Sequence, residues 1–291
     1  MYALHFSYDR ILLDIEKTLL ERKLRNALDA LYSSYPALQE KYADHSVLVD
    51  ALKDVEIYVA MAKSLLDENL AAVRFADREK LDDLWNAVDA EQFTSMPLFS
   101  ERSRKLDFSQ FTVRGHYSKK FWGPNGERTL GNYFKAMMWL GRMDFYLTPP
   151  PDAENPWRPE EIKRMLAGAL LMNELFQMSG ADDEIKTIDD IITFMVGASD
   201  NLTPAQLEDV VDRLQISPDQ AFDDAVYALL QRELLADVNY GQRIMSAFFL
   251  VDPYASEPDP LPVSYRMLGQ RFIIDSYVLA NVVYDRIIFQ L

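Results

Sequence analysis

The tetrapeptide Arg114-Gly115-His116-Tyr117 places a permanent positive charge beside a group that titrates near neutral pH. Gly115 permits a backbone conformation that a side chain would disfavour, so a tight turn can present Arg114 and His116 together. Such a pair can hold an anion or transfer a proton. A structural role is the alternative, in which Arg114 pairs with a buried carboxylate and His116 bonds a backbone carbonyl. The sequence leaves both interpretations open.

His5 and Asp9 are four residues apart, and this spacing puts both side chains on one face of a helix. The pair could share a proton, or a metal ion with a third group, whereas a local hydrogen bond at a helix entry is the simpler interpretation. The histidines are His5, His45 and His116. None forms a His-Glu-x-x-His motif or pairs with another at helical spacing, so no metal site is predicted.

The segment GQRFIIDSYV, residues 269–278, adds Arg271 and Asp275 to the candidates. Asp275 is suited to cap a last helix, and that role alone would account for it. The candidate catalytic residues are Arg114, His116, Asp9 and Asp275. The candidate ligand-binding residues are Arg114, His116, Tyr117, His5 and Arg271. No haem-ligand pattern, phosphate-binding glycine loop or serine nucleophile elbow accompanies them, so no cofactor is predicted.

The composition excludes several classes of function. Lysine and arginine number 30 against 46 aspartate and glutamate residues, which gives a net charge of -16. This acidity argues against nucleic acid and anionic lipid as partners. The absence of cysteine excludes thiolate catalysis, disulfides and cysteine-ligated metal sites. No apolar stretch reaches the ~18 residues of a membrane span.

Apolar residues recur every three or four positions through most of the chain, as in amphipathic helices. This periodicity predicts helices over residues 8–31, 47–66, 77–91 and 129–147, and a mostly buried helix beginning at Pro159. Pro36 is predicted to end the first of them. No alternating strand pattern with hairpin turns is evident. The predicted fold class is all-α, a multi-helix array of amphipathic helices with long aromatic-rich loops.

Residues 92–129 lose the helical periodicity but carry many aromatic side chains, and long ordered loops of this kind are often functional. The aromatic, methionine-rich helix that follows is predicted to be a rigid floor for the Arg114–Tyr117 turn. We predict one helical domain over residues 1–291, with a sub-boundary near the proline-rich stretch 148–158. Both chain ends lie inside helical patterns, which favours an internal fragment of a longer protein.

Three stretches resemble a bacterial and archaeal family, domain of unknown function thirty-one-sixty: HFSYDRIL, DFSQFTVRGHYSKK with YFKAMMWLGRMDFYL, and GQRFIIDSYV. The resemblance implies further segments on both sides, which would be partners of this portion. It also implies an exported or cell-surface location, because many members carry export or lipoprotein signals. Val113 replaces the proline expected before the RGHY motif. The resemblance carries over no catalytic residue.

Two functions are compatible with these observations, and a third possibility is a purely structural fragment whose site is completed by a missing C-terminal part. The first is an exported or cell-surface helical protein that binds a peptide, a glycan or a protein partner, which fits the long aromatic loops and the lack of a complete catalytic set. The alternative is a hydrolase-type enzyme with a site around Arg114 and His116. The two differ in geometry: an enzyme should direct Arg114 and His116 into one cleft with a carboxylate, whereas a binding protein can use both as structural ties.

Overall fold

The computed structural model describes residues 2–123, 126–152, 154–244, 261–273, 275, 276, 278 and 282, with side chains from Ser7 onward. The described part is mostly helical, as predicted. Its α-helices are α1 (Tyr2–Ile15), α2 (Glu21–Lys41), α3 (Val49–Asp67), α4 (Arg78–Ala90), α5 (Gly131–Arg142), α6 (Pro159–Ser179), α7 (Asp182–Met195), α8 (Pro204–Leu214) and α9 (Asp224–Ala236). None of these helices is long and apolar enough to cross a membrane.

Helices α2, α3 and α6 pack against one another, and α5 packs on α3. Residues around most of the circumference of α6 are buried, among them Ile162, Leu166 and Leu170. This is the burial expected for a helix without a polar face. Trp139 of α5 is also buried, and its indole Nε1 donates a hydrogen bond to the carbonyl of Tyr58 in α3 at 3.0 Å. The aromatic helix α5 is therefore fixed to the core.

The prediction that Pro36 ends the first long helix is wrong, because α2 runs through it to Lys41. Proline removes one helical hydrogen bond and clashes with the preceding turn. Here the turns around it are anchored to the core. Tyr35 donates a hydrogen bond to the carbonyl of Leu52 in α3 at 2.9 Å, and Leu38 is buried. Packing on α3 outweighs the local cost of the proline.

The sequence showed no strand pattern, but short antiparallel pairs are present beside the helices. They are β1 (Phe93–Pro97) with β2 (Ser103–Asp107), β3 (Phe121–Gly123) with β4 (Gly126–Arg128), and β5 (Phe145–Tyr146) with β6 (Ser264–Tyr265). The burial of β2 does alternate, but one of its inward positions is Arg104. An arginine at a core position hides the apolar alternation that marks a strand in sequence.

The proline-rich stretch near 148–158 leads into α6, which begins at Pro159 as predicted. The amides of Leu147 and Thr148 donate to the carbonyl of Val263 at 2.9 and 3.2 Å. Together with β5–β6, these bonds join the start of this stretch to residues 261–268. The sub-boundary near 148–158 stays a prediction.

Candidate functional site

The first helix of the chain does not continue regularly into the second. A π-helical turn, Glu16–Leu20, lies between α1 and α2. Such turns insert an extra residue into a helix and are frequent at functional sites. Asp9 and Glu16 are seven residues apart, which is close to two helical turns, so both carboxylates emerge on the same face. Glu16 is buried, and the side chain of Asp9 remains partly exposed.

The loop that faces these carboxylates carries His116. Gly115 begins a short 3-10 turn, Gly115–Ser118, and adopts φ +62°, where a side chain would be strained. His116 is only 8% exposed. Its Nδ1 lies 3.0 Å from Oδ1 of Asp9, and its Nε2 lies 2.5 Å from Oε2 of Glu16. The imidazole is thus held between two carboxylates of the first helical segment.

This arrangement restricts where protons can lie. A neutral imidazole has one N–H, so one ring nitrogen would face a carboxylate oxygen as an acceptor. Either His116 is an imidazolium that donates to both carboxylates, or one carboxyl carries a proton and donates to the ring. Burial raises the pKa of Glu16, although Tyr117 and His116 oppose the shift. The hydrogen bond from Lys119 lowers the pKa of Asp9. A carboxyl proton is therefore better placed on Glu16.

Tyr117 completes the shell of Glu16. Its hydroxyl donates to Oε1 of Glu16 at 2.8 Å, while its ring lies 4.1 Å from the ring of His116 and 4.8 Å from that of Phe134 in α5. Burial, with the charge of Glu16, raises the pKa of Tyr117, so the phenol stays protonated and acts as a donor. On the other side, Lys119 donates to Oδ2 of Asp9 at 2.9 Å. We call His116, Asp9, Glu16 and Tyr117 the His116 cluster.

Arg114 lies outside the His116 cluster. Its guanidinium donates to the carbonyls of Gln110 at 3.1 Å and Thr112 at 3.4 Å, and it sits over the ring of Phe134 at 5.4 Å. The sequence-based structural alternative had Arg114 on a carboxylate and His116 on a carbonyl. The structure shows the reverse: Arg114 bonds backbone carbonyls, and His116 contacts two carboxylates. The contacts of Arg114 and Tyr117 with Phe134 bring the turn onto α5, where the rigid floor was predicted.

The other candidates differ in their relation to the His116 cluster. Asp9 belongs to it. Arg271 pairs with Asp189 at 2.7 Å and with the hydroxyl of Thr193 at 3.0 Å, and Asp275 is exposed. Within the described residues, no hydrogen bond or ion pair joins Arg271 or Asp275 to His116. The side chain of His5 lies outside the described residues.

Sequence reasoning missed Glu16 and Lys119. Glu16 looks like one of the charges on the solvent side of an amphipathic helix, and the irregular π-turn that begins at it breaks the 3.6-residue period used to assign faces. Its spacing of seven from Asp9 was a usable signal. In the described part of the chain, no group of three histidine or acidic side chains is arranged to hold a metal ion. In the His116 cluster, the imidazole ring lies between the two carboxylates, so the atoms that could coordinate a metal ion do not converge on one point.

A hairpin follows the turn directly. Strands β3 and β4 pair Trp122 with Glu127, and the indole of Trp122 is 83% exposed. Arg128 fixes the hairpin to α2, because its guanidinium donates to both oxygens of Glu21 at 2.7 and 2.6 Å and lies over the ring of Phe121 at 5.0 Å. Bidentate pairs of this kind set geometry well. A large aromatic ring is therefore displayed on an anchored hairpin.

A second charged cluster lies deep in the core. Asp144 is fully buried and accepts hydrogen bonds from Arg266 at 2.6 Å and from Arg104, whose guanidinium also donates to the Asp144 carbonyl at 2.9 Å. Burial acts to raise the pKa of Asp144, but the two arginines outweigh it and the pKa is lowered. The cluster joins β2 to the segments that hold β5 and β6. Its position in the core indicates a structural role.

A family model described as "Protein of unknown function (DUF3160)" matches residues 1–290 of the chain. The match covers nearly the whole sequence and confirms the family resemblance. No curated protein and no solved structure gave a match. The roles of individual residues are therefore argued from the geometry of the site.

Proposed function

The chain belongs to the DUF3160 family of unknown function, whose model spans residues 1–290, and we propose that it is a helical binding protein for a peptide, a glycan or a protein partner. An exported or cell-surface location, as part of a longer protein, is included in the proposal. One observation carries it: both ring nitrogens of His116 are occupied by carboxylates of the protein itself.

A general acid or base needs a nitrogen directed at the substrate. His116 has no nitrogen left for that purpose and is almost completely buried. The guanidinium of Arg114 is likewise bonded to carbonyls of its own loop. These contacts support a loop that is ordered before any partner arrives. Pre-ordering lowers the entropy cost of association, which is valuable for a binding surface.

The β3–β4 hairpin is the part of this loop best suited to contact a partner. Trp122 is exposed, and Lys120 and Glu127 form an ion pair at 2.9 Å on the same hairpin. Tryptophan is enriched at the energetic centres of interfaces, because a large rigid ring gains contact area at little entropic cost. An indole beside charged groups can stack on an apolar side chain or on the apolar face of a sugar ring.

The proposal is tested by screening the folded full-length protein against glycan and peptide arrays, followed by titration calorimetry on the hits. Trp122→Ala should lose binding by at least about tenfold, as expected for a central aromatic contact. Phe194→Ala is the matched control, since Phe194 is 88% exposed on α7 and should leave the affinity unchanged. Equal affinity of both variants for every hit would contradict the assignment of the hairpin.

The alternative is a hydrolase-type enzyme with its active site around His116, and one observation favours it. A buried carboxyl with a raised pKa beside a histidine–aspartate pair is typical of acid–base sites. Catalysis would require the ring to leave Glu16 and face a substrate. Ester, peptide and glycoside substrates should then be turned over by the full-length protein, and Glu16→Gln and His116→Asn should each abolish turnover without unfolding the protein.

A further inference from the structure

A surface hollow that shares no lining residue with the His116 cluster lies where the ends of α3, α4 and α5 meet. Its volume is about 70 Å³, and its lining includes Leu65, Trp85, Val88, Glu68, Asp89 and Lys135. A single water needs roughly 10–15 Å³ by this kind of measure. The hollow therefore has room for a small polar head group.

The wall of the hollow on α4 combines an aromatic ring with a carboxylate. Trp85 and Asp89 are four residues apart, so both side chains lie on the same face of α4. Trp85 is half-buried against the core and Asp89 is exposed. Among the described residues, the side chain of Asp89 has no hydrogen bond or ion pair. An aromatic face beside an unpartnered carboxylate is a favourable environment for a cation.

The ends of two helices add negative potential at the same place. α3 ends at Asp67 and α4 ends at Ala90, and the last carbonyls of a helix carry partial negative charge. Glu68 follows α3 in a left-handed conformation with φ +53°, and its carboxylate accepts a hydrogen bond from Asn132 at 3.2 Å. This bond holds the carboxylate at the rim of the hollow.

The lining also contains a positive charge, Lys135, which would repel a bound cation unless carboxylates compensate it. Its ammonium lies 4.0 Å from Glu91, just past the end of α4. Glu91 is therefore the carboxylate that pairs with Lys135, whereas Glu68 and Asp89, which also line the hollow, have no ion pair among the described residues. The net charge of the chain, -16, further raises the local concentration of cations.

We propose that this hollow binds an organic cation, the ammonium or guanidinium group of a lysine or arginine side chain on a peptide partner. The charged head would lie against the ring of Trp85 and between the carboxylates of Asp89 and Glu68, with its alkyl stem on Leu65 and Val88. This site is separate from the Trp122 hairpin and does not depend on the function proposed for it.

The test uses the folded protein labelled with ¹⁵N at its tryptophan indoles, which number four. The probes are a lysine tripeptide, acetyl-Gly-Lys-Gly-amide, and its uncharged counterpart with norleucine in place of lysine. The lysine peptide should shift one indole resonance in a saturable way, and that resonance should be absent from Trp85→Phe. The norleucine peptide should leave it unmoved. Equal shifts with both peptides, or a shifted resonance that persists in Trp85→Phe, would overturn the proposal.

Two isosteric variants on α4 test the role of charge. Asp89→Asn should weaken binding of the lysine peptide by about two- to fivefold, the range of exposed ion pairs. Asp83→Asn is the matched control, because Asp83 is exposed on the same helix but does not line the hollow. Identical affinities for the two variants would overturn the proposal. Butylammonium chloride distinguishes the source of the cation: tighter binding of the peptide supports a peptide side chain, and equal binding overturns that assignment in favour of a free amine.

Discussion

Nε2 of His116 lies 2.5 Å from Oε2 of Glu16, although the two residues are 100 positions apart in the chain. The contact closes the Arg114–Tyr117 turn onto the π-helical turn between α1 and α2. Since Asp9 occupies the other ring nitrogen at 3.0 Å, the histidine acts as a bridge between the loop and two carboxylates that are about two helical turns apart. The stability of this bridge can be measured separately from any binding activity.

His116→Ala should lower the free energy of unfolding by about 3 kcal/mol, because it leaves Oε2 of the buried Glu16 without its imidazole partner, while Tyr117 still bonds only Oε1. Urea denaturation followed by circular dichroism measures the change. His45→Ala is the matched control, since His45 is exposed, and it should cost less than about 1 kcal/mol. Similar losses in both variants would show that the bridge contributes little.

Glu16→Gln should change how stability depends on pH. The folded-state pKa of Glu16 is raised above its ordinary value of 4.5, so the folded protein holds this proton more tightly than the unfolded chain. The wild type therefore loses stability as pH rises from 4.5 through the folded pKa. The loss is about 1.4 kcal/mol for each pH unit that separates the folded pKa from the unfolded pKa. Glutamine cannot titrate and removes this loss.

Urea unfolding of wild type and Glu16→Gln between pH 4 and pH 8 checks this sign. The stability of the variant minus that of the wild type should become more positive as pH rises. The Asp9 contribution runs the other way, since its lowered pKa gives stability that is lost as pH falls below 3.8, and the variant retains that residue. If the difference in stability between variant and wild type does not change with pH, the pKa of Glu16 is not raised in the folded protein.

Gly115→Ala should destabilise the protein by about 1 kcal/mol through backbone strain alone. Gly115 has φ +62°, and a Cβ there would meet no atom within 4 Å, so crowding contributes nothing. Asparagine tolerates the left-handed region better than alanine, and Gly115→Asn should cost clearly less. Thermal unfolding of the two variants distinguishes this explanation. If asparagine proves as costly as alanine, the backbone conformation is not the cause.

Arg128→Gln should loosen the β3–β4 hairpin without unfolding the protein. The substitution removes the bidentate bond to Glu21 and the contact over Phe121. Limited chymotrypsin digestion should then cut faster after Phe121 or Trp122, with cleavage sites read by mass spectrometry. Arg232→Gln, at an arginine whose side chain is 72% exposed, is the control and should leave the rate at these sites unchanged.

The helices were predictable because their apolar faces repeat with the helical period. The start of α4 after Asp77 was also readable, since its carboxylate accepts a hydrogen bond from the amide of Glu79 at 2.9 Å. Pro36 misled the prediction because local propensity was judged without the tertiary contacts of Tyr35. The strand β2 was missed because Arg104, a charged residue, occupies a buried position. Its partner, Asp144, comes from a segment that no local pattern connects to it.

The candidate site was predicted in part. His116, Tyr117 and Asp9 do come together, since the turn and the first helix both carried recognisable polar groups. Glu16 was not found, because the extra residue of the π-turn that begins at Glu16 shifts the faces of the following helix, so the apolar period of the whole segment does not show which face Glu16 occupies. Arg114 was grouped with His116 on the basis of adjacency. The backbone turns at Gly115, where φ is positive, and the side chains of Arg114 and His116 reach different partners. The residue types alone did not indicate this difference.

The buried trio of Arg104, Asp144 and Arg266 has a consequence for the order of assembly during synthesis. A carboxylate can be kept dry only when its positive partners are present, and Arg266 follows Asp144 by 122 residues. During synthesis, the carboxylate of Asp144 should therefore remain hydrated until the nascent chain includes Arg266. A nascent chain halted before that point should bind a hydrophobic dye and resist protease poorly, however many of its helices have already formed.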